Sequence, residues 1–235
     1  MDIIRTKFTE LHDIRNIAIL ADPACRDGWE GNFLPLLERV WREHRPELFL
    51  VAGDFAVNGT SDEFRNVLTA MKKYPAQLAA VPGDHDRPLK TFTKYFGTTR
   101  KIIDVGNWRF IGLNTANRIF PQSEAEFLNM NIQSRTVVFC HVPPGVDGWT
   151  FHSLSPLYSE RFLSIIERHR SKVTAAFFGH IHGYSRCRFM GIPFIAIGGV
   201  AESYRVRRNR YDGPGPIQML VLDLKTGKFS LCRKD

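Results

Sequence analysis

A chain of 235 residues with 43% hydrophobic and 24% charged side chains has the make-up of an ordinary globular protein. That balance excludes a disordered chain, a collagen-like repeat and a membrane bundle, and no run approaches the roughly 18 apolar residues of a spanning helix. Lys and Arg number 32 against 24 Asp and Glu, a net charge of +8, which favours anionic partners such as phosphate esters, nucleotides or nucleic acid.

Asp2, Glu10 and His12 precede the first apolar stretch, so residues 1–20 do not read as a signal peptide. That stretch, Asn16 to Ala21, predicts a buried strand. Phe33, Leu36, Leu37, Val40 and Trp41 then recur on one helical face. Leu48–Ala52 is the next strand, Phe64, Val67, Leu68 and Met71 mark a helix, and Leu78–Val81 is a third strand. The stretch from Lys90 to Arg100 has no diagnostic pattern. Lys101–Val105 and Trp108–Leu113 flank a Gly106-Asn107 turn. A helix around Glu124–Asn131, a strand Thr136–Cys140, a helix around Glu160–His169 and a strand Ala175–Phe178 follow. Beyond them the pattern is all strand: Arg186–Phe189, Phe194–Ile197, Gln218–Leu224 and Lys228–Cys232, the last two joined by Lys225-Thr226-Gly227. Strand–helix alternation followed by a strand-rich tail predicts an α/β domain with a mixed sheet, and one domain spanning 1–235.

Cys25, Cys140, Cys187 and Cys232 include no CxxC pair. A disulfide framework is therefore not expected, and a reducing, cytoplasmic compartment is the default. Cys187 and Cys232 both fall in late strands. The one dense basic run, Arg205 to Arg210, is too short to be a nucleic-acid tail.

Polar clusters stand where five apolar strands end: Asp22, Gly53-Asp54, Gly83-Asp84-His85-Asp86, His141, and Gly179-His180-Ile181-His182. Ligands of α/β sheets bind beyond the carboxyl ends of the strands, so these clusters are expected to converge on one edge. Carboxylates and imidazoles without a thiolate motif suit Mn, Fe, Zn or a similar divalent ion and argue against a cysteine-based structural zinc. Taken singly, a strand-end Gly-Asp, an H-x-H or a lone His is more often an ordinary loop feature; shared order and position make the set informative.

In that order the clusters resemble the calcineurin-like metallophosphoesterase superfamily, whose pattern runs D-x-H, G-D, G-N-H-D/E, a strand-end H, and G-H-x-H. Val137 to Pro144 resembles the same family's apolar strand followed by H-x-P-P, and Asn107 to Leu113 resembles a strand of its cyclic-phosphodiesterase-like branch. The resemblance implies a four-layer α/β/β/α sandwich with two mixed sheets meeting at a dinuclear metal site. It implies a first metal on Asp22, Asp54 and His182, and a second on Asp84, His141 and His180 with Asp54 bridging. It further implies in-line attack on phosphorus by a hydroxide held between the metals, with His85 as general acid and Asp86 orienting its imidazole.

Two departures stand out. Asp22-Pro23-Ala24 lacks the His of D-x-H, and Asp84 replaces the Asn. The first position is therefore expected to be weak or empty unless Cys25, Asp27 or Glu30 substitutes. Trp29, Trp149, His152 and Arg205 are candidates for the substrate pocket, as stacking surfaces or phosphate ligands; burial of the tryptophans and a solvated arginine are the plain alternatives. The expectation is a soluble metal-dependent phosphodiesterase acting on a small anionic phosphoester, a nucleotide among the candidates, with two divalent ions (Mn or Fe favoured, Zn compatible), no membrane partner, and nucleic acid not favoured. A phosphomonoesterase, or a degenerate scaffold that binds other proteins, are the alternatives.

Overall fold

The computed structural model describes residues 1–23, 27–207 and 209–234. In chain order they form β1 (Asp2–Ile3), β2 (Phe8–Leu11), β3 (Asn16–Leu20), α1 (Glu30–His44), β4 (Leu48–Ala52), α2 (Ser61–Met71), β5 (Gln77–Val81) and α3 (Leu89–Phe96). Next come β6 (Lys101–Val105), β7 (Trp108–Gly112), α4 (Gln122–Asn131), β8 (Thr136–Cys140), α5 (Pro156–Arg168) and β9 (Val173–Phe178). The remainder is strand: β10 (Gly183–Phe189), β11 (Ile192–Ile197), β12 (Tyr204–Arg207), β13 (Arg210–Pro214), β14 (Gln218–Asp223) and β15 (Lys228–Arg233).

The strands divide into a six-stranded sheet, β1-β5-β4-β3-β14-β15, and a nine-stranded sheet, β13-β12-β10-β11-β9-β8-β7-β6-β2. Both are mixed: β3, β4 and β5 run parallel while β14 is antiparallel to β3, and β7, β8 and β9 run parallel while β10 is antiparallel to β11. Period-two alternation explains the layering. On β3, Ala18 and Leu20 face the core beneath α1, α2 and α3, whereas Ile17 and Ile19 face a second core between the sheets. On β8, Val137 and Phe139 enter that central core, and Val138 and Cys140 enter a third core beneath α4 and α5. Both faces are covered, so these strands read as unbroken apolar runs. The four layers expected from the sequence are thus present, with three cores between them.

The helices bury the stripes their sequences offer. Phe33, Leu36, Leu37 and Val40 of α1 are all inaccessible, each worth roughly 1.5–3 kcal/mol against exposure. Thr60 and Glu63 close a reciprocal capping box that starts α2 where the chain leaves the Asp54 loop. The patternless stretch after His85 forms α3, which lays Phe92 and Phe96 against Phe64, with Phe96 also 4.3 Å from the Phe55 ring; its apolar face turns to the core. Cys187 and Cys232 lie in different sheets, in β10 and β15.

The sheets are tied together at the edge where the polar clusters lie. Ala21 bridges Gly199 beyond β11, Val200 donates its N–H to the Ala21 carbonyl, and Ala201 to that of Asp22. The carboxyl ends of β3, β4 and β5 therefore meet those of β8 and β9.

Candidate metal centre

Each polar residue at this edge sits at the first turn after a buried strand. Asp22, Asp54, His180 and His182 all adopt left-handed backbone, with φ of 55°, 57°, 65° and 49°. Such φ values are uncommon outside glycine and gather at functional sites, where surrounding structure holds them. Glycines make the approach close. A Cβ on Gly53, itself at φ +87°, would stand 2.6 Å from His141 Nδ1, and one on Gly83 would run into the Asp54 carboxylate.

His141 is the hub. Its Nδ1 lies 2.8 Å from the Ala52 carbonyl, which can only accept, so Nδ1 carries a proton and Nε2 points into the cluster. Nε2 is 2.9 Å from Asp84 Oδ1 and 3.2 Å from Asp54 Oδ2, and makes a well-formed hydrogen bond only with Asp84. Asp22 Oδ1 is 3.9 Å from His141 Nδ1 and 3.5 Å from His182 Nε2. His180 Nδ1 is 3.0 Å from Asp84 Oδ1. Among the described residues, two groups of donor atoms at this edge converge within 4.8 Å: Asp22, Asp54 and His141, and Asp84, His141 and His180.

The electrostatics bear on whether a cation belongs here. Burial pushes the Asp22 carboxyl up from 3.8 to about 6, more than His182 and His141 pull it down. Burial also lowers His180 to about 4, leaving it neutral with a lone pair to give at pH 7. For Asp84 burial acts upward, but the hydrogen bonds of His141 and His180 prevail and hold it well below the usual carboxylate range. Oδ2 of Asp22 and Oδ2 of Asp54 are buried without a hydrogen-bond donor. A buried carboxylate oxygen left in that state is costly unless a cation neutralises it. Two orphaned carboxylate oxygens among imidazoles fit divalent metal ions.

Asp86 does not orient His85. It is fully buried, and its carboxylate accepts from the backbone N–H of Asp54 (2.8 Å), Gly83 (2.9 Å) and Ala56 (3.1 Å). It clamps the two Gly-Asp loops together, and burial followed by the charge of Asp54 raises its pKa well above the ordinary value. His85 is exposed: its Nδ1 meets the Val57 carbonyl at 2.9 Å, and its backbone N–H donates to Asp54 Oδ1 at 3.0 Å. With Val57, Asn58, Asp84, Arg87, Pro88 and Arg118 it lines a cavity of about 560 Å³.

Among the pocket candidates, His152 is at the site, its ring 5.6 Å from that of His180 and 5.7 Å from Tyr211. Trp149 is not available as a stacking surface. It is buried against Phe178 and donates Nε1–H to Ser185, anchoring its loop. Trp29 packs half-buried on Phe33 beside the outer core. Arg205 is exposed on the β12–β13 hairpin and donates Nε–H to Pro214. Cys25 and Ala24 lie outside the described residues. Asp27 and Glu30 are exposed and belong to neither converging group; the carboxylate beside the first position is Glu202, whose Oε1 is 3.2 Å from His182 Nδ1.

Sequence reasoning missed Glu202, Arg118 and Tyr211. The hydroxyl of Tyr211 donates to the Ile181 carbonyl between the two histidines, and Arg118 holds Asp84. All three lie in loops or on an edge hairpin, where no periodicity marks them; the basic composition around Arg205–Arg210 was the only signal.

Residues 15–184 match the calcineurin-like phosphoesterase family. A 3′,5′-cyclic-nucleotide phosphodiesterase of a Nostoc species is 28% identical over 64% of this chain and 62% of its own. A 3′,5′-cyclic adenosine monophosphate phosphodiesterase of Pseudomonas aeruginosa is 32% identical over 34% of this chain and 31% of its own. The chain thus spans less than two thirds of these relatives. Among solved structures, a dimetal phosphatase from Danio rerio superposes with a TM-score of 0.64 at 14% identity, over 94% of this chain and 99% of that one. GAP50, the anchor in the inner membrane complex of Plasmodium, superposes with 0.67 at 11% identity, over 94% and 89%. At such identities the superpositions speak to the fold alone.

Proposed function

Because the chain belongs to the calcineurin-like phosphoesterase family, we propose that it is a metal-dependent hydrolase of small anionic phosphodiesters, cyclic nucleotides first among them. The observation that carries this is the meeting of Asp22, Asp54, Asp84, His141 and His180 at one edge, with His182 3.5 Å from Asp22 and two buried carboxylate oxygens without a hydrogen-bond partner. The phosphodiesterase names of the two curated relatives support the diester class.

Asp22, Asp54 and His182 would hold one divalent ion, and Asp54, Asp84, His141 and His180 a second; oxygen and imidazole donors favour Mn or Fe and accommodate Zn. Bound there, the ions would neutralise charge on the phosphoryl oxygens and make water a better nucleophile at neutral pH. The chain's own residues set the rest. Asp86 fixes the Asp54 and Gly83 backbones, so the shared carboxylate cannot drift. His85 donates its Nδ1–H to the Val57 carbonyl, which leaves Nε2 for the adjoining cavity; as general acid the ring would act as an imidazolium, passing its Nε2 proton to the leaving oxygen. The hydrogen bond from the His85 backbone to Asp54 ties that acid to the shared ligand. His152 and Tyr211 offer ring faces beside His180 for a flat leaving group.

The test is turnover of an aryl phosphodiester, its monoester and 3′,5′-cyclic AMP by chelator-stripped protein, with Mn²⁺, Fe²⁺, Zn²⁺ or Mg²⁺ restored. Metal-restored diester turnover is expected. His85→Ala should lower it by about 10²–10⁴-fold with metal content unchanged; loss of metal along with activity would remove His85 from the acid role. Monoester preference would reassign the substrate class. Cation binding without turnover of any ester would favour the scaffold reading.

A further inference from the structure

Asp84 uses its two carboxylate oxygens differently. Oδ1 faces inward, 2.9 Å from His141 Nε2 and 3.0 Å from His180 Nδ1. Oδ2 faces outward and accepts from both Nη2 (2.8 Å) and Nε (3.1 Å) of Arg118. The carboxylate side chain is 9% exposed and the arginine 56%, so the cation caps the pocket from its solvent side.

The loop between β7 and α4 is built to present this arginine. Thr115 is buried, and its hydroxyl accepts the backbone N–H of Val142, the residue after His141, at 2.8 Å. Ala116 N–H donates to Asn114 Oδ1, Arg118 N–H to the Thr115 carbonyl, and Arg118 stands at φ 56°, a region long side chains rarely occupy. The element that carries Arg118 is thus pinned to the strand end that carries His141. From the other side Arg87 donates Nε–H to the Asp84 carbonyl at 3.0 Å.

We propose that Arg118 is a positioning residue for the metal centre: by holding Oδ2 of Asp84 it leaves only Oδ1 to face the cation, and it neutralises the third carboxylate of a pocket that already buries Asp22 and Asp54. Three uncompensated carboxylates would repel one another and bind a cation with both oxygens of Asp84 free to chelate. The forked hydrogen bond removes one oxygen and one negative charge together. The same guanidinium lines the cavity beside His85, so the pocket keeps a positive wall for an anionic ester. This inference rests on the metal-centre reading above.

The test reads metal binding without substrate. Mn²⁺ is titrated calorimetrically into chelator-stripped wild type, Arg118→Gln, Asp84→Asn and the double variant, with thermal melts of the metal-free forms to verify folding. Arg118→Gln is expected to tighten Mn²⁺ about tenfold, within the range of couplings between contacting residues. In the Asp84→Asn background the same substitution should change affinity by less than about twofold, because no carboxylate is left for Arg118 to hold. Arg118→Lys, which keeps the charge but not the fork, should fall between wild type and Arg118→Gln. An equal effect of Arg118→Gln in both backgrounds, or none in the wild-type background, overturns the inference while leaving the phosphodiesterase reading standing. Failure of the wild type to bind Mn²⁺ overturns both. Failure to hydrolyse diesters, with the coupling intact, overturns only the substrate assignment.

Discussion

The two halves of the polar cluster meet the same problem, buried carboxylates, in opposite ways. Around Asp84 the protein supplies its own cations and donors: Arg118 on one oxygen, His141 and His180 on the other. Around Asp22 it supplies less. Oδ1 accepts the backbone N–H of His180 at 3.4 Å and lies 3.5 Å from His182, Oδ2 has no donor, and burial lifts the carboxyl to about 6. The Asp84 half is compensated before any ligand arrives, whereas the Asp22 half keeps an orphaned buried oxygen that a cation would satisfy. On the proposed metal-centre reading, metal dependence would be concentrated in one half of the site and preorganisation in the other.

The largest expected effect comes from the residue the halves share. His141 reaches Asp84, Asp54 and Asp22 at 2.9, 3.2 and 3.9 Å, and their charges raise its pKa well above 6.5 despite burial acting the other way. His141→Ala leaves three buried carboxylates facing one another, and breaking a buried pair costs about 3–5 kcal/mol. We expect metal-free protein to lose stability on that scale, and Mn²⁺ affinity to fall beyond the roughly 10–100-fold that an outer-shell change costs. Melts and calorimetry read the two effects; retained tight binding at both positions would mean that His141 is structural only.

Asp22→Asn separates the halves. The folded carboxyl titrates near 6 and the unfolded one near 3.8, so between those values the native state binds the extra proton. Stability from this group therefore falls as pH rises from about 3.8 to 6, and the whole penalty is present above 6. Replacing the acid by an amide should stabilise metal-free protein at pH 7.5 by on the order of 2–3 kcal/mol, with the gain vanishing below about pH 4. Excess Mn²⁺ should close the gap: at a hundred times Kd it adds about 2.7 kcal/mol to the wild type, or about 5–10 °C for a chain this long, which offsets the variant's advantage. A variant less stable than metal-free wild type at pH 7.5 would show that Asp22 is compensated after all.

What could be read in advance follows the same division. Asp22, Asp54, Asp84, His141 and His180 were legible because each ends a strand buried on both faces, and such strands leave unbroken apolar runs that stop at the ligand edge. The compensating groups were not. Arg118 is reached through a loop whose shape depends on one hydroxyl, Thr115, meeting the N–H of Val142 just beyond the end of β8, a contact 27 residues away in sequence. Glu202 follows β11 by a turn with no period. Asp86 was misread because adjacency to His85 suggested contact, while its carboxylate turns inward to three N–H groups at buried loop ends. The two-residue β1 and the half-exposed β2 are too short to show alternation.

Glu202 gives the smallest expected effect and the finest test of the comparison. Its Oε1 faces His182 Nδ1 at 3.2 Å while Oε2 accepts from the Tyr204 hydroxyl at 3.0 Å. That pairing fixes which nitrogen of His182 carries the proton and turns Nε2 toward Asp22, the role an outer-shell carboxylate plays for a metal-binding imidazole. Glu202→Gln keeps an oxygen for Nδ1–H and removes only the charge, so the loss should stay near the tenfold end of the outer-shell range; Glu202→Ala, which removes the oxygen as well, should cost more. Because, among the described residues, Glu202 meets His182 and Tyr204 and none of the groups around Asp84, a two-site Mn²⁺ isotherm should weaken at one position only. Equal weakening at both positions would mean that the halves are coupled through more than His141 and Asp54, and the contrast between a compensated and an uncompensated half would no longer hold.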